Sequence, residues 1–278
     1  MAEMLVARLR QRKRRGERIV SITAYDYFTA VLAREAGVDF VLVGDSLGNV
    51  VQGAATTVPV TLRQMVYHTR IVCAHFPPGL VVLDMPFGTF KLGAERTVRK
   101  CVRAFKSSGC GGVKLEGATQ DNLEAIATLT ALGVPVIGHV GLLPQMIHAE
   151  GGYRVQGKTP EQAQRILAEA KALERAGAVA VVLECVVPEV AARVTKELSV
   201  PTIGIGCGPA TDGQIIVVHD ILGMLPGDAP TFVKRYAHLL EDALRAVKGY
   251  TDDVRAGRFP AGEQPVAAEN PPIYGRSA

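Results

Sequence analysis

Ionisable side chains stand where short apolar runs end in this chain. Asp45 follows Leu42-Val43-Gly44, Asp84 follows Val81-Val82-Leu83, and Lys114 and Glu116 flank Leu115. His139 follows Val136-Ile137-Gly138, and Glu184 follows Val181-Val182-Leu183. An acid at a strand end often only caps the next helix. Three such acids brought to one ring, Asp45, Asp84 and Glu116, would repel one another unless a cation neutralised them. Oxygen ligands without cysteine favour Mg²⁺ or Mn²⁺ over a structural zinc. Lys114 and Glu116 are two apart, so on a strand both face the same side. There Lys114 can hold an anion or pair with a carboxylate, while Glu116 joins the metal shell. Glu184 ends an apolar run, where desolvation would raise its pKa and suit it to act as a general base. His139 is left open between a structural hydrogen-bonding role and a contact to substrate.

Such a ring needs elements that bring the run ends together. Eight β-branched runs stand at 19–24, 40–45, 80–85, 112–116, 136–140, 179–185, 202–206 and 215–219, and nearly all are continuously apolar rather than alternating. That pattern suits parallel strands covered on both faces. Helical spacings separate most of them. Leu62, Met65, Val66, Thr69, Val72, Cys73 and Phe76 recur at three and four, giving one apolar face. Thr159-Pro160 with Gln162 marks a helix start. A last helix is expected over Phe232 to Val247, stopping near Gly249. Eight strands alternating with helices predict an α/β fold, a (β/α)₈ TIM barrel with its site at the C-terminal strand ends. Residues 1–256 are read as one barrel domain with an N-terminal helix at 2–15. Residues 257–278, rich in proline and small residues, are read as an extended or disordered tail. The seventh-to-eighth step is the weakest, since 206–214 leaves room only for a turn or a very short helix. The glycine-rich Gly204-Ile205-Gly206-Cys207-Gly208 lies where many barrels bind phosphate, but it lacks the spacing of a P-loop or a dinucleotide fingerprint.

Composition narrows the class. The chain has 278 residues, 48% hydrophobic and 21% charged, enough to bury a large core. Aromatics make up 5% and tryptophan is absent, which leaves few rings for stacking on single-stranded nucleic acid. The net charge of +4 is concentrated between Arg8 and Arg18, read as a short solvated helix; the rival reading is a nucleic-acid-binding arm on an inert barrel. No apolar run is long enough to span a membrane. Five cysteines in no zinc-like spacing fit a reducing, cytoplasmic setting.

Several segments together resemble the ketopantoate hydroxymethyltransferase family. They include Ile22-Thr23-Ala24-Tyr25-Asp26, Val43-Gly44-Asp45-Ser46-Leu47-Gly48, Asp84-Met85-Pro86-Phe87, Val113-Lys114-Leu115-Glu116-Gly117, Gly138-His139-Val140-Gly141-Leu142, Gly151-Gly152-Tyr153-Arg154-Val155-Gln156-Gly157 and Leu183-Glu184-Cys185-Val186. The resemblance implies a phosphoenolpyruvate/pyruvate-type barrel, a homo-oligomer, commonly a decamer, one divalent ion such as Mg²⁺ per subunit, and 5,10-methylenetetrahydrofolate as co-substrate. It implies Asp45 and Asp84 as metal ligands with Glu116 completing the metal site. It further implies Asp45, Ser46, Asp84 and Lys114 as contacts to the 2-oxo acid, and Glu184 as the catalytic proton acceptor. The implied reaction converts 3-methyl-2-oxobutanoate to 2-dehydropantoate through a metal-stabilised enolate, the first committed step of pantothenate synthesis. Leu143, Arg154 and Cys207 depart from the usual family pattern, and none is an implied ligand. The alternative within the same chemistry is another Mg²⁺-dependent 2-oxo acid lyase of this barrel kind.

Overall fold

The structure is a computed structural model that describes residues 4–261. Eight parallel strands close in the order β1-β2-β3-β4-β5-β6-β7-β8. They are β1 (Ile19–Thr23), β2 (Phe40–Val43), β3 (Val81–Asp84), β4 (Gly112–Glu116), β5 (Val136–Gly141), β6 (Ala180–Glu184), β7 (Thr202–Ile205) and β8 (Gly213–Ile216). The helices are α1 (Leu5–Arg15), α2 (Tyr27–Glu35), α3 (Leu47–Val50), α4 (Leu62–His75), α5 (Ala94–Ser108), α6 (Gln120–Ala131), α7 (Ile147–Glu150), α8 (Pro160–Arg175), α9 (Pro188–Glu197), α10 (Val218–Leu222) and α11 (Leu239–Arg255).

Local chemistry sets these boundaries. Asp26 before α2 and Thr61 before α4 each form a reciprocal capping box, with Thr29 and Gln64, so free amides at both helix starts are satisfied. Thr159 caps α8 by accepting from the Gln162 amide. Every residue of β2, β3 and β4 is buried, as strands covered on both faces require. Register then levels the run ends. Asp84 pairs with Lys114, Glu116 with His139, and Gly141 with Glu184.

The structure corrects three expectations. The basic N-terminal segment is not a free solvated helix. Leu5 and Leu9 of α1 are 1% and 0% exposed, and the basic face is tied to the barrel. Arg12 Nε donates to Asp39 Oδ1 at 2.8 Å, and Lys13 Nζ donates to Asp212 Oδ2 and the Val200 carbonyl, both at 2.9 Å. Since these partners precede β2, β8 and β7, α1 closes the N-terminal end of the barrel. The eighth strand lies at Gly213–Ile216, ahead of the expected 215–219. Val218 instead opens α10, its amide donating to Thr23 Oγ1 at 3.1 Å. The last helix starts at Leu239 and runs through Gly249, because the chain from Pro230 to His238 is held against α10, with Tyr236 N bonded to Ile221 O at 2.8 Å. The step from β7 to β8 holds no helix, as its length implied. Of the expected tail, residues 262–278 lie outside the described residues.

Candidate active site

The ends of β2, β3 and β4 build a buried charge cluster. Lys114 Nζ donates to both carboxylate oxygens of Asp84, at 2.8 and 2.9 Å, and lies 3.6 Å from Glu116 Oε1. Asp84 Oδ2 also accepts from the Asp45 amide at 3.3 Å. Asp45, Asp84, Lys114 and Glu116 are all under 5% exposed. Gln145 closes the group from the short 3₁₀ turn Pro144–Met146. Its Nε2 donates to Asp45 Oδ2 at 2.8 Å and to Met85 O at 3.0 Å, and its amide donates to Glu116 Oε2 at 3.3 Å.

Charge is unbalanced here. Burial, then Asp84 and Glu116, push the Asp45 carboxyl well above its ordinary value, and Lys114 and Gln145 only partly offset this. Burial likewise raises Asp84 against the pull of Lys114. Burial would also raise Glu116, yet Lys114, His139 and Lys91 outweigh it and hold that carboxyl at about 2. Burial would discharge Lys114, but Asp84, Glu116 and Asp45 keep it cationic. Three carboxylates therefore face one ammonium, and Glu116 Oε1 is buried without a hydrogen-bond partner. An oxygen-only donor set with surplus negative charge fits a hard divalent cation. Among the described residues no three His, Cys, Asp or Glu side chains are grouped as a finished metal cage. The fit rests on Asp45 and Asp84, with Glu116 set back among Lys114, His139 and Gln145.

Glu184 stands at the end of β6. Its side chain is 19% exposed, so the sealed apolar setting read from the sequence is replaced by an edge open to the cavity. Gly141 (φ 97°) positions it: a Cβ there would lie 2.3 Å from Glu184 O, and Leu142 N donates to that carbonyl at 2.8 Å. His139 is buried between two acids, with Nε2 3.3 Å from Glu184 Oε2 and Nδ1 3.5 Å from Glu116 Oε1. Neither contact has hydrogen-bond geometry. Burial and Lys114 push this imidazole down, but the two carboxylates outweigh them and raise it. Ser46 is held by Tyr25, the hydroxyls being 2.8 Å apart. Asp45, Ser46, Asp84, Lys114, Glu116 and Glu184 line one cavity of about 480 Å³ at the C-terminal strand ends, joined there by Tyr153, Cys185 and an apolar wall; Gln145 lies behind its acids.

Comparison with known proteins follows this geometry. The family model for ketopantoate hydroxymethyltransferase matches residues 3–262. The chain belongs to the ketopantoate hydroxymethyltransferase family. Among its relatives, a 3-methyl-2-oxobutanoate hydroxymethyltransferase of Magnetococcus marinus is 50% identical over 89% of this chain and 92% of that protein. One from Syntrophomonas wolfei is 45% identical over 95% of both. Among solved structures, phosphonopyruvate hydrolase with oxalate and Mg²⁺ aligns with a TM-score of 0.60 at 17% identity, over 98% of this chain and 93% of that one. A 2,3-dimethylmalate lyase aligns at 0.59 and 18%, over 96% and 92%. At such identities these two likenesses speak for the barrel alone.

In this member of the ketopantoate hydroxymethyltransferase family, the structure brings Asp45, Ser46, Asp84, Lys114, Glu116 and Glu184 to one cavity. It adds two residues that sequence reasoning did not place. Gln145 follows Leu143-Pro144, and a polar side chain only 4% exposed in an apolar turn is its signal. Tyr153 belongs to the Gly-Gly-Tyr segment, whose role is visible only once Gln156 N bonds Cys185 O at 2.8 Å and draws the loop to β6. Gly206 lets a ring lie against the backbone: a Cβ there would lie 2.8 Å from Phe232.

Proposed function

We propose that the chain transfers a hydroxymethyl group from 5,10-methylenetetrahydrofolate to 3-methyl-2-oxobutanoate, giving 2-dehydropantoate and tetrahydrofolate, the first committed step of pantothenate synthesis. The observation that carries this reading is the buried set of Asp45, Asp84, Glu116 and Lys114 with Glu184 at its open edge, in a chain of this family. Asp45 and Asp84 would hold a divalent cation such as Mg²⁺, with Glu116 contributing charge behind them. When bound, that ion supplies Lewis-acid polarisation of the 2-oxo group, which acidifies C3 of the substrate. Ser46 and Lys114 orient the oxo acid, Lys114 offsetting its carboxylate charge. Glu184 accepts the C3 proton through its exposed carboxylate edge, with His139 Nε2 lying 3.3 Å from it. Water cleaves both C–N bonds of the donor's methylene unit, leaving tetrahydrofolate and a formaldehyde-level carbon; the enolate carbon attacks it to form the new C–C bond, and the proton taken up by Glu184 returns to the new hydroxyl oxygen.

The chain also works as a homo-oligomer in this reading, a decamer by family likeness. The support is α11, which has no buried residue and exposes Leu244, Val247 and Tyr250 by 51, 62 and 57%. A cytoplasmic setting is supported by five free cysteines, and no helix among the described residues is long and apolar enough to cross a membrane. The test is an assay of purified protein with both substrates, with and without Mg²⁺, beside Asp84→Ala. Metal-dependent 2-dehydropantoate formation that the variant loses is the expected result; product formation without any divalent ion, or in the variant, overturns the site.

A further inference from the structure

The cavity has two unlike sides. The acids of β2, β3 and β4 occupy one, and a five-carbon oxo acid fills only a fraction of the roughly 480 Å³, a volume typical of sites for much larger ligands. Across the closed barrel, β7, β8 and the chain after them present Ile205, Ile216, Val217, Leu225 and Phe232 to the same space. One polar side chain, Asp220 of α10, lines this apolar sector. Among the described residues its carboxylate makes no hydrogen bond and no ion pair within 4 Å. Burial holds that carboxyl above the usual range, Arg235 offsetting this only in part.

Two aromatic rings face the cavity, Phe232 and Tyr153, 42% and 58% exposed. Phe232 is backed by Gly206, whose positive φ of 63° and missing side chain let the ring lie against the backbone. Tyr153 enters from the segment after β5. Glu184 on β6 stands between the acid side and this sector, so a group seated here meets the enolate where its proton was removed.

We propose that Asp220 and Phe232, with Tyr153, form the seat for the flat 2-amino-4-oxopyrimidine ring at the head of the one-carbon donor. This rests on the transferase reading above. A 2-amino-4-oxo heterocycle presents adjacent N–H donors on one edge, which a carboxylate accepts in parallel. Its faces stack on aromatic side chains. An otherwise unpaired acid in an apolar wall beside exposed rings offers both contacts at once.

The experiment compares wild type with Asp220→Asn, Phe232→Ala and Phe232→Leu, each checked for folding by circular dichroism. Tetrahydrofolate binding is titrated calorimetrically, and KM is measured for each substrate. The expected result is a rise of about ten- to a hundredfold in tetrahydrofolate Kd and donor KM for Asp220→Asn. About tenfold is expected for Phe232→Ala, with KM for 3-methyl-2-oxobutanoate within twofold of wild type. Phe232→Leu keeps the volume against Gly206 without the ring, and replaces the alanine variant if that one unfolds. Unchanged tetrahydrofolate binding in folded Asp220→Asn and Phe232→Leu overturns the assignment, as does an equal rise in both KM values. Failure of the wild type to exchange the C3 proton of 3-methyl-2-oxobutanoate in deuterated water counts against the transferase reading instead, and leaves the binding comparison to judge the seat.

Discussion

Lys114 clasps Asp84 with both carboxylate oxygens at 2.8 and 2.9 Å, and the two side chains are only 6% and 2% exposed. A buried pair of this kind adds little over an apolar core, but breaking it strands a charge, at a cost of about 3–5 kcal/mol. Lys114→Met is therefore expected to lower unfolding free energy by about that amount in urea titration. The double variant Lys114→Met/Asp84→Asn recovers part of the loss, because Asp84 no longer carries a stranded charge, while Asp45 and Glu116 still lack their cation. A single variant as stable as wild type would remove the pair from the account of the core. Activity is lost in both.

Asp45 gives a pH-dependent signature. Its carboxyl in the folded state lies above the unfolded value of 3.8, so the folded chain binds this proton more tightly than the unfolded chain. In metal-free protein the ionised form then costs stability above the folded pKa, and the cost fades as pH falls through it. Asp45→Asn removes that cost. Metal-free variant should exceed wild type by about 1–3 kcal/mol at mildly alkaline pH, with the gap closing toward acid. Mg²⁺ replaces the proton, so it should raise the wild-type Tm most at alkaline pH and leave Asp45→Asn nearly unmoved. Thermal melts across pH with and without Mg²⁺ measure this; equal Mg²⁺ shifts in both proteins would exclude Asp45 as a ligand.

How much of this was legible in the sequence depends on the range of the interaction. Apolar runs ending in acids fixed strands and site together, because strand period and barrel topology turn run ends into one ring. That is why Asp45, Asp84, Lys114, Glu116 and Glu184 could be read in advance. The last helix could not: Phe232 and Tyr236 keep helical spacing with Leu239 and Leu240, yet Tyr236 N bonds Ile221 O, a tertiary contact that periodicity does not report. The solvated reading of the N-terminal helix failed for a related reason. Its charge run hid that Leu5 and Leu9 share one face. Gln145 was illegible because it acts through Asp45, Met85 and Glu116, at or just past the ends of β2, β3 and β4 and more than twenty residues away in sequence.

The basic helix α1 is structural and its removal should show it. Leu9 is fully buried against the N-terminal end of the barrel, so Leu9→Ala is expected to cost about 2–5 kcal/mol. Lys13→Ala breaks one partly exposed ion pair with Asp212 and should cost under about 1 kcal/mol. Denaturant titration separates the two. Salt-dependent nucleic-acid binding that Lys13→Ala weakens, with Leu9→Ala harmless, would favour the binding-arm reading instead.

The exposed face of α11 makes a separate prediction about assembly. A helix of seventeen residues with no buried side chain draws little stability from the chain's own core, whereas most helical stability in proteins comes from packing an apolar face. Packing on other copies would remove Leu244, Val247 and Tyr250 from water. Leu244→Glu/Val247→Glu places two charges in that contact and is expected to lower the sedimenting mass of the assembly to that of smaller species. The charge set at Asp45, Asp84 and Lys114 is built from β2, β3 and β4 of one chain, so Mg²⁺ should still raise the Tm of the dissociated variant. An unchanged sedimentation profile in a folded variant would show that α11 is not an interface, and loss of the Mg²⁺ shift on dissociation would mean that the site depends on a neighbouring subunit.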